Sequence, residues 1–413
     1  MVLAPPPGPP ELWAGIESTR NRVGDRVVDQ LERTGHARRV SDLDLLAGLG
    51  VAAVRYPVLW DRTVTRVSEA PDWGWADVRL GRLRELAIRP VVGLLHHGNG
   101  PSGTGLLDPR FPERFAVYAG AFAERYPWVE DYVPINEPLT TARFSGLYGI
   151  WFPHRRDPSS FTRMLVNQVR ATVLAMRAIR RVNPAARLIQ NEDIGTTVST
   201  LPLRNRARFE NERRWLTFDL LCGRVDPEST LWPTLADWIP VQELQDLVDD
   251  PCPPDVLGVD HYLTSDRLLD HWVDRYPEWS HSDHDGDWHA DVEAVRATAQ
   301  APPGIVGALD AAWERYGRPL AIAETHLGCT REEQLRWLQE SWEAAALLQR
   351  RGADVQAVCV WMVFGGYDWN SLVTSETEFY ESGAFDVRGP APRPTAIARW
   401  IGEVSREGES RDP

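Results

Sequence analysis

Short runs of apolar residues recur along the chain, and most are followed by a segment with helical periodicity. The runs are continuous rather than alternating, which is typical of strands buried on both faces of a parallel sheet. We therefore predict eight strands. Their ranges are Leu12–Ile16, Val51–Val58, Arg89–Leu95, Tyr132–Ile135, Arg187–Gln190, Val256–Val259, Pro319–Ala323 and Ala357–Val363.

Amphipathic helices are predicted between these strands. Ser41–Leu49 opens with a serine cap and places Leu43, Leu46 and Leu49 on one face, while 161–182 and 331–350 are longer segments of the same kind. Strand and helix alternate about eight times, which predicts an α/β fold: a closed (β/α)8 TIM barrel in a single domain. An open doubly wound sheet is the alternative, but no G-x-G-x-x-G follows the first strand.

The barrel is expected to span residues 11–404, between flexible segments at 1–10 and 405–413. A polar, aromatic stretch from Tyr262 to Asp291 is predicted to form a long loop over one barrel face. The histidines and aspartates at 271–291 match no zinc spacing. Our hypothesis is that this stretch forms a rim or lid on the aglycone side of the site.

Composition excludes several classes of function. The formal net charge of −14 argues against nucleic acid and anionic membrane as partners. All 45 basic residues are arginine, so Schiff-base chemistry on a lysine is excluded. The proline-rich start does not resemble a signal peptide, and no apolar run reaches the roughly 18 residues of a spanning helix. We expect a cytoplasmic protein with a small-molecule substrate, its oligomeric state left open.

Two of the predicted strands end in a glutamate. The fourth runs into Asn136-Glu137-Pro138, and the seventh ends at Glu324. Function in such barrels sits at the carboxyl ends of the strands, and strands four and seven lie nearly opposite each other. A single strand-end glutamate is often only a solvated cap. A facing pair is the minimum needed for glycoside cleavage, in which one carboxylate attacks and the other protonates the leaving oxygen.

The ordered set of motifs resembles glycoside hydrolase family 1, the β-glucosidase type of retaining enzyme. The Asn-Glu-Pro at 136–138 resembles the family's acid/base motif, and Glu324 stands where the family has its nucleophile. Arg55 resembles the second-strand arginine that supports the nucleophile, and Tyr262 the hydroxyl beside it. The resemblance extends from Trp13 to about Trp400 and is carried by the whole set rather than by any one motif.

The same resemblance implies a set of sugar contacts. On strand eight, an acidic residue and a tryptophan follow the family's tryptophan at the expected spacing of seven and eight residues. The amide next to the acid/base is suited to the sugar 2-hydroxyl, and one histidine of the third strand contacts the sugar in the family. The implied substrate-binding residues are Asn21, His97, Asn136, Trp361, Asp368 and Trp369.

Several positions depart from the family pattern. The first-strand glutamine becomes Asn21, and a tryptophan of the third-strand motif becomes Gly98. Thr325 follows the nucleophile where the family has asparagine, Asp260 replaces an asparagine on strand six, and Asp368 replaces a glutamate. These changes affect sugar recognition more than bond cleavage, so the glycone is left open.

The function that the resemblance implies is hydrolysis of O-glycosidic bonds by double displacement, as in a retaining β-glycosidase. Glu137 would be the acid/base and Glu324 the nucleophile, with no cofactor and no metal. A transglycosidase, which passes the glycosyl group to a small acceptor, is the first alternative. A non-catalytic sugar-binding protein is an alternative of another class.

Overall fold

The computed structural model describes residues 8–284, 287–299 and 301–409. Eight parallel strands close into a barrel in which each strand pairs with its neighbours in sequence and the first pairs with the last. The strands are β1 Glu11–Gly15, β2 Ala53–Pro57, β3 Arg89–His96, β4 Asp131–Asn136, β5 Arg187–Asp193, β6 Val256–Asp260, β7 Leu320–Thr325 and β8 Val355–Val360. Each overlaps a predicted run, so the (β/α)8 TIM barrel is confirmed.

At least one helix follows each barrel strand. The α-helices are Gln30–Arg33, Asp42–Leu49, Trp60–Thr63, Gly74–Glu85, Phe111–Arg125, Pro138–Ala142, Pro158–Val182, Arg204–Arg213, Leu216–Leu221, Trp232–Ala236, Val241–Asp249, Ala294–Ala297, Gly304–Tyr316, Arg331–Arg350 and Ala396–Glu409. A π-helical turn spans Arg143–Leu147, and 3-10 turns span Leu201–Leu203, Val273–Arg275, Glu278–Ser280 and Trp369–Ser371.

Helix boundaries follow the predicted periodicity, with one error at a cap. The helix Arg331–Arg350 has the predicted bounds. Leu43, Leu46 and Leu49 are buried as predicted, but the side chain of Ser41 makes no capping hydrogen bond. The predicted serine cap is therefore wrong, because Ser41 already has helical backbone angles that turn its hydroxyl away from the first amides.

A layer of apolar side chains closes the lower part of the barrel. Each strand contributes one residue to it, so the barrel is a packed core rather than a pore. Polar residues can therefore collect only above this layer, toward the carboxyl ends of the strands. The layer consists of Trp13, Ala53, Val91, Val133, Ile189, Val256, Ala321 and Ala357.

The stretch predicted as a loop over one face is instead largely a β-sheet. Its strands Arg267–Asp270, His281–His284 and Asp287–Glu293 join Thr197–Ser199 in a four-stranded sheet. Pairing with Thr197–Ser199, which follows β5, gives the backbone of this stretch hydrogen-bonding partners that a loop would lack. Leu269 is buried against the helix Arg204–Arg213. The loop prediction is wrong, and residues 285 and 286 lie outside the described ones.

Three small hairpins lie outside the barrel in the part of the chain that the structure describes. The hairpins pair Arg20–Val23 with Arg26–Asp29, Gly366–Tyr367 with Tyr380–Glu381, and Phe385–Asp386 with Arg393–Pro394. The last helix continues to Glu409, while 1–7 and 410–413, which fall in the segments predicted to be flexible, lie outside the described residues. None of the helices within the described ranges has the length and hydrophobicity needed to cross a bilayer.

Gly258 of β6 provides a test of the packing that positions the polar end of this strand. A Cβ at this position would lie 2.7 Å from the Cβ of Asn191 and 2.9 Å from that of Ala323. We expect Gly258→Ala to lower the free energy of unfolding by about 1–3 kcal/mol through overpacking. Gly81→Ala is the control because Gly81 lies in a helix with nothing within 4 Å of the added methyl. It should be neutral or stabilise by up to about 1 kcal/mol in urea unfolding. Equal effects of the two changes would contradict the prediction.

Candidate active site

Glu324, at the end of β7, is held by two strong donors. Its side chain is buried, with Arg55 Nη1 donating to Oε1 at 2.9 Å and the Tyr262 hydroxyl donating to Oε2. Burial raises the pKa of Glu324, and the charge of Arg55 and the hydrogen bonds from both groups oppose that rise. Among the carboxyl groups at the barrel mouth, this one is equipped to stay ionised.

Arg55 ties three strands together beneath the site. Besides Glu324, Nη1 donates to the backbone oxygen of Ala323 at 2.6 Å, and Nη2 donates to Asn136 Oδ1 at 2.7 Å. The guanidinium carbon lies 4.6 Å from the ring centroid of Trp361, within cation–π range. A buried arginine with this many partners places the ends of β2, β4 and β7 in a fixed relation.

Glu137 directly follows β4 and lies in a different environment. Its backbone is left-handed, with φ of +41°, at the start of the helix Pro138–Ala142. The side chain is buried, Oε1 has no hydrogen-bonding partner among the described residues, and Oε2 lies 3.6 Å from His97 Nε2. Burial, followed by the charges of Asp260 and Glu324, raises the pKa of Glu137 well above its ordinary range, which favours a retained proton.

The two glutamates face each other at short range. One carboxyl oxygen from each of Glu137, Glu324 and Asp260 lies within 4.8 Å of one oxygen from each of the other two. Oxygens this near fit carboxyl groups roughly 5–5.5 Å apart, as in a retaining glycosidase, better than the about 6.5–9.5 Å of an inverting one. Oxygen atoms so arranged could also coordinate a cation, but the Arg55 guanidinium already supplies a positive charge at Glu324.

Four of the predicted sugar-binding residues lie together. His97 Nε2 accepts from Asn136 Nδ2 at 3.3 Å, which leaves Nδ1–H to donate to Thr141 Oγ1 at 2.8 Å. Burial lowers the pKa of His97 to about 3, so its ring is neutral near neutral pH. The Trp369 ring lies 6.2 Å from that of His97, and Trp361 packs against Arg55. An amide, a neutral imidazole and two indoles thus surround the carboxyl pair.

Asn21 and Asp368 are the other two residues predicted to bind sugar, and their surroundings differ. Asn21 is buried in the first hairpin, and its amide makes no hydrogen bond with any described residue. Asp368 Oδ1 accepts from the amides of Thr377 and Phe379, and Oδ2 pairs with Arg33 Nη1 at 2.7 Å. These bonds close the loop after β8, and a sugar contact by Asp368 would have to compete with them.

The sequence pattern missed polar residues at the end of β5, because the predicted strand stopped at Gln190. Asn191 bridges the site, with Nδ2 donating to Asn136 Oδ1 at 2.8 Å and to Asp260 Oδ2 at 2.5 Å. Glu192 is fully buried and accepts four hydrogen bonds, from Thr217 Oγ1, Thr140 Oγ1 and the amides of Leu139 and Thr140. The run of polar residues immediately after an apolar strand was the signal available in the sequence.

Comparison with known proteins finds glycosidases, in agreement with the pair of carboxyl groups at the barrel mouth. No family model matches the chain. It is 23% identical over 445 residues to β-glucosidase 4 of Oryza sativa subsp. japonica, covering 94% of this chain and 88% of that protein. A family 1 glycoside hydrolase of Thermotoga maritima, solved with a cyclophellitol analogue, superimposes with a TM-score of 0.78 at 18% identity, covering 96% and 97% of the two chains.

The chain is similar to β-glucosidases over nearly its whole length and shares the fold of a family 1 glycoside hydrolase. A second structure, the β-glucosidase of Thermotoga maritima with azafagomine, gives a TM-score of 0.77 at 18% identity over 98% of this chain and 99% of that one. At such identities the structures establish the shared fold. The four residues predicted to be catalytic, Arg55, Glu137, Tyr262 and Glu324, lie together at the mouth of this barrel.

The departure at Gly98 has a steric explanation in this family 1-like chain. A Cβ at Gly98 would lie 2.9 Å from Asp61 Oδ2 and 3.2 Å from the backbone oxygen of Arg20. The Asp61 side chain and the backbone of the first hairpin therefore leave no room for a side chain at this position. Trp151, which sequence analysis did not single out, supplies an aromatic ring nearby, 4.9 Å from the ring of His97.

Glu192 provides a test of how the Glu137 turn is anchored. Three of its four donors lie on Leu139 and Thr140, which follow Glu137, and the fourth is the Thr217 hydroxyl. A glutamine would turn an amide donor toward some of them. We expect Glu192→Gln to lower the free energy of unfolding by about 1.5–3 kcal/mol. Glu340→Gln, on an exposed helix face, is the matched control and should stay within about 0.5 kcal/mol. Equal unfolding midpoints for the two variants would show that the Glu192 carboxylate does not anchor this turn.

Proposed function

We propose that the chain is a retaining β-glycosidase that hydrolyses O-glycosidic bonds by double displacement. The observation that carries the proposal is the pair Glu137 and Glu324, whose oxygens lie within 4.8 Å in opposite electrostatic environments. One carboxylate faces Arg55 and Tyr262, and the other faces further negative charge. Pairs of carboxyl groups with pKa values pushed apart by their surroundings are the arrangement that divides acid from nucleophile.

The reaction follows from these two environments. Glu324 forms a bond to the anomeric carbon while the bond to the aglycone breaks, and Glu137 gives its proton to the departing oxygen. Glu137, now ionised, removes a proton from water, which attacks the anomeric carbon and releases Glu324. Arg55 and Tyr262 keep Glu324 oriented in both steps. Two inversions at one carbon give net retention.

The groups around the pair suit a sugar ring. Asn136 and the neutral His97 offer an amide and an imidazole to hydroxyl groups, and Trp361 and Trp369 offer apolar ring surface. The β-glucosidase names of the relatives support a β-linked substrate. Because Asp260 and Asp368 differ from the family residues, and Asp368 is engaged with its own loop, we do not assign the glycone.

The direct test is trapping of the covalent intermediate. We expect a panel of aryl 2-deoxy-2-fluoro-β-glycosides to label Glu324, as read by peptide mass mapping. The fluorine slows both steps, and a good aryl leaving group speeds only the first, so the covalent intermediate accumulates. Glu324→Gln is the control and should take up no label. A label on Glu137 or Asp260 would reverse the assignment. Tight sugar binding with neither labelling nor turnover of aryl glycosides would indicate a binding protein instead.

Tyr262 tests how Glu324 is kept ionised. Tyr262→Phe removes one of its two donors, so we expect kcat/KM to fall roughly 10- to 100-fold, the value of one hydrogen bond to a charged group. Losing that donor further raises the pKa of Glu324, so the acidic limb of the kcat/KM profile should move to higher pH. Tyr126→Phe removes a comparable bond, 2.8 Å to Asp77 Oδ1 on the outer helices, and should leave the profile unchanged. An unmoved acidic limb in Tyr262→Phe would contradict the assignment.

A further inference from the structure

Asp260, at the end of β6, is a third carboxyl group in the site that the double displacement above does not use. It is completely buried and lies opposite Glu324 in the β6–β7 register. Oδ2 accepts from Asn191 Nδ2 at 2.5 Å, while Oδ1 has no hydrogen-bonding partner among the described residues. A buried carboxylate oxygen without a donor is costly, so this atom needs an explanation.

The charges around Asp260 come from every neighbouring strand. Arg55 contributes positive charge from β2, and the His97 ring is neutral because burial lowers its pKa to about 3. The remaining ionisable groups nearby are acids, which are neutral when protonated and negative when ionised. They are Glu137 after β4, Glu192 and Asp193 on β5, Tyr262 after β6, Glu324 on β7 and Cys359 on β8.

Three ionised carboxylates cannot share so small a buried space with one arginine. The strongest donors serve Glu324, so the retained proton belongs to the pair formed by Glu137 and Asp260. Each member of that pair keeps one oxygen without a fixed donor, Glu137 Oε1 and Asp260 Oδ1. A single proton held between them gives one of these oxygens its donor, as in other carboxyl pairs that share a proton.

The position of Asn191 decides where that proton lies. Its amide donates to Asp260 and stabilises negative charge there, whereas no described residue donates to Glu137 Oε1. Burial also raises the pKa of Asp260, but the neighbouring Glu137 and Asn191 side chains oppose that rise. The asymmetry leaves Glu137 as the donor and Asp260 as the acceptor.

We infer that Asp260 is a positioning residue for the acid/base: it accepts a hydrogen bond from protonated Glu137 and holds the proton there until the aglycone departs. The inference rests on the proposed function. When Glu137 has given its proton to the leaving oxygen, two carboxylates face each other. Their repulsion favours removal of a proton from the incoming water by Glu137, which restores the starting state.

The test is the basic limb of the pH profile for an alkyl or methoxyphenyl β-glycoside, whose leaving group needs protonation. Asp260→Asn keeps the shape and removes the charge, so Glu137 should lose its proton more easily, and the basic limb should move to lower pH by about one unit or more. A 2,4-dinitrophenyl glycoside, whose leaving group needs no proton, should show no such shift. A purely structural role for Asp260 would change rates without this dependence on the leaving group.

Two further variants keep the inference falsifiable if Asp260→Asn folds poorly. Asn191→Ala removes the donor to Asp260 without changing the charge count, so part of the shared proton should move to Asp260. The rate at the pH optimum should fall, while the basic limb should stay in place or move to higher pH, and a move to lower pH would contradict the inference. Asp193→Asn removes the charge of a nearby carboxylate that accepts a hydrogen bond from Ser265. It should shift the basic limb less than Asp260→Asn does.

The outcomes separate the inference from the function on which it rests. Wild-type protein that neither cleaves nor is labelled by aryl glycosides would overturn the proposed function. Turnover with a basic limb that Asp260→Asn leaves in place would overturn the inference alone. A third outcome is that EDTA abolishes wild-type activity and a divalent cation restores it, while Asp260→Asn shows no such recovery. That result would make Asp260 a metal ligand and would also overturn the inference.

Discussion

The guanidinium of Arg55 is the group on which the rest of the site depends. It is buried at the mouth of the barrel and donates to Glu324, to the backbone of β7 and to Asn136 of β4. A buried charge is tolerated only with close partners of opposite sign and satisfied hydrogen bonds. Arg55 in turn gives Glu324 a counter-charge and fixes β4 and β7, which carry the proposed catalytic pair. The geometry of the pair and the ionisation of Glu324 therefore depend on the same group.

Roles within the site follow from surroundings rather than from residue type. Glu324, Glu137 and Asp260 are all carboxyl groups of similar burial, yet one faces an arginine and a phenol, one faces mainly other carboxyl groups, and one faces an amide. The neutral ring of His97 adds no charge that would cancel this asymmetry. Differences of this kind divide a nucleophile from an acid in a single small cavity.

Strand positions were predictable because a parallel barrel buries its strands on both faces, which leaves continuous apolar runs. The approach of Glu137 to Glu324 was predictable because these residues directly end two such runs. The polar residues at the end of β5 were missed, because Asn191 and Glu192 lie within the strand whereas the apolar pattern ends before them. The small sheet was not predictable either, since Leu269 is buried only when Arg267–Asp270 pairs with a segment about seventy residues earlier. The bonds that commit Asp368 to its own loop depend on Arg33 and Thr377, which no motif connects to it.

The division of labour between Glu137 and Glu324 is tested most directly by azide rescue, with product stereochemistry read by NMR. Each glutamate is replaced by alanine, and the variant is given an activated aryl β-glycoside with sodium azide. The account predicts a β-glycosyl azide from Glu137→Ala, where azide attacks the intermediate on Glu324, and an α-glycosyl azide from Glu324→Ala, where azide replaces the missing nucleophile. The reverse pairing of products, or the same anomer from both variants, would contradict it.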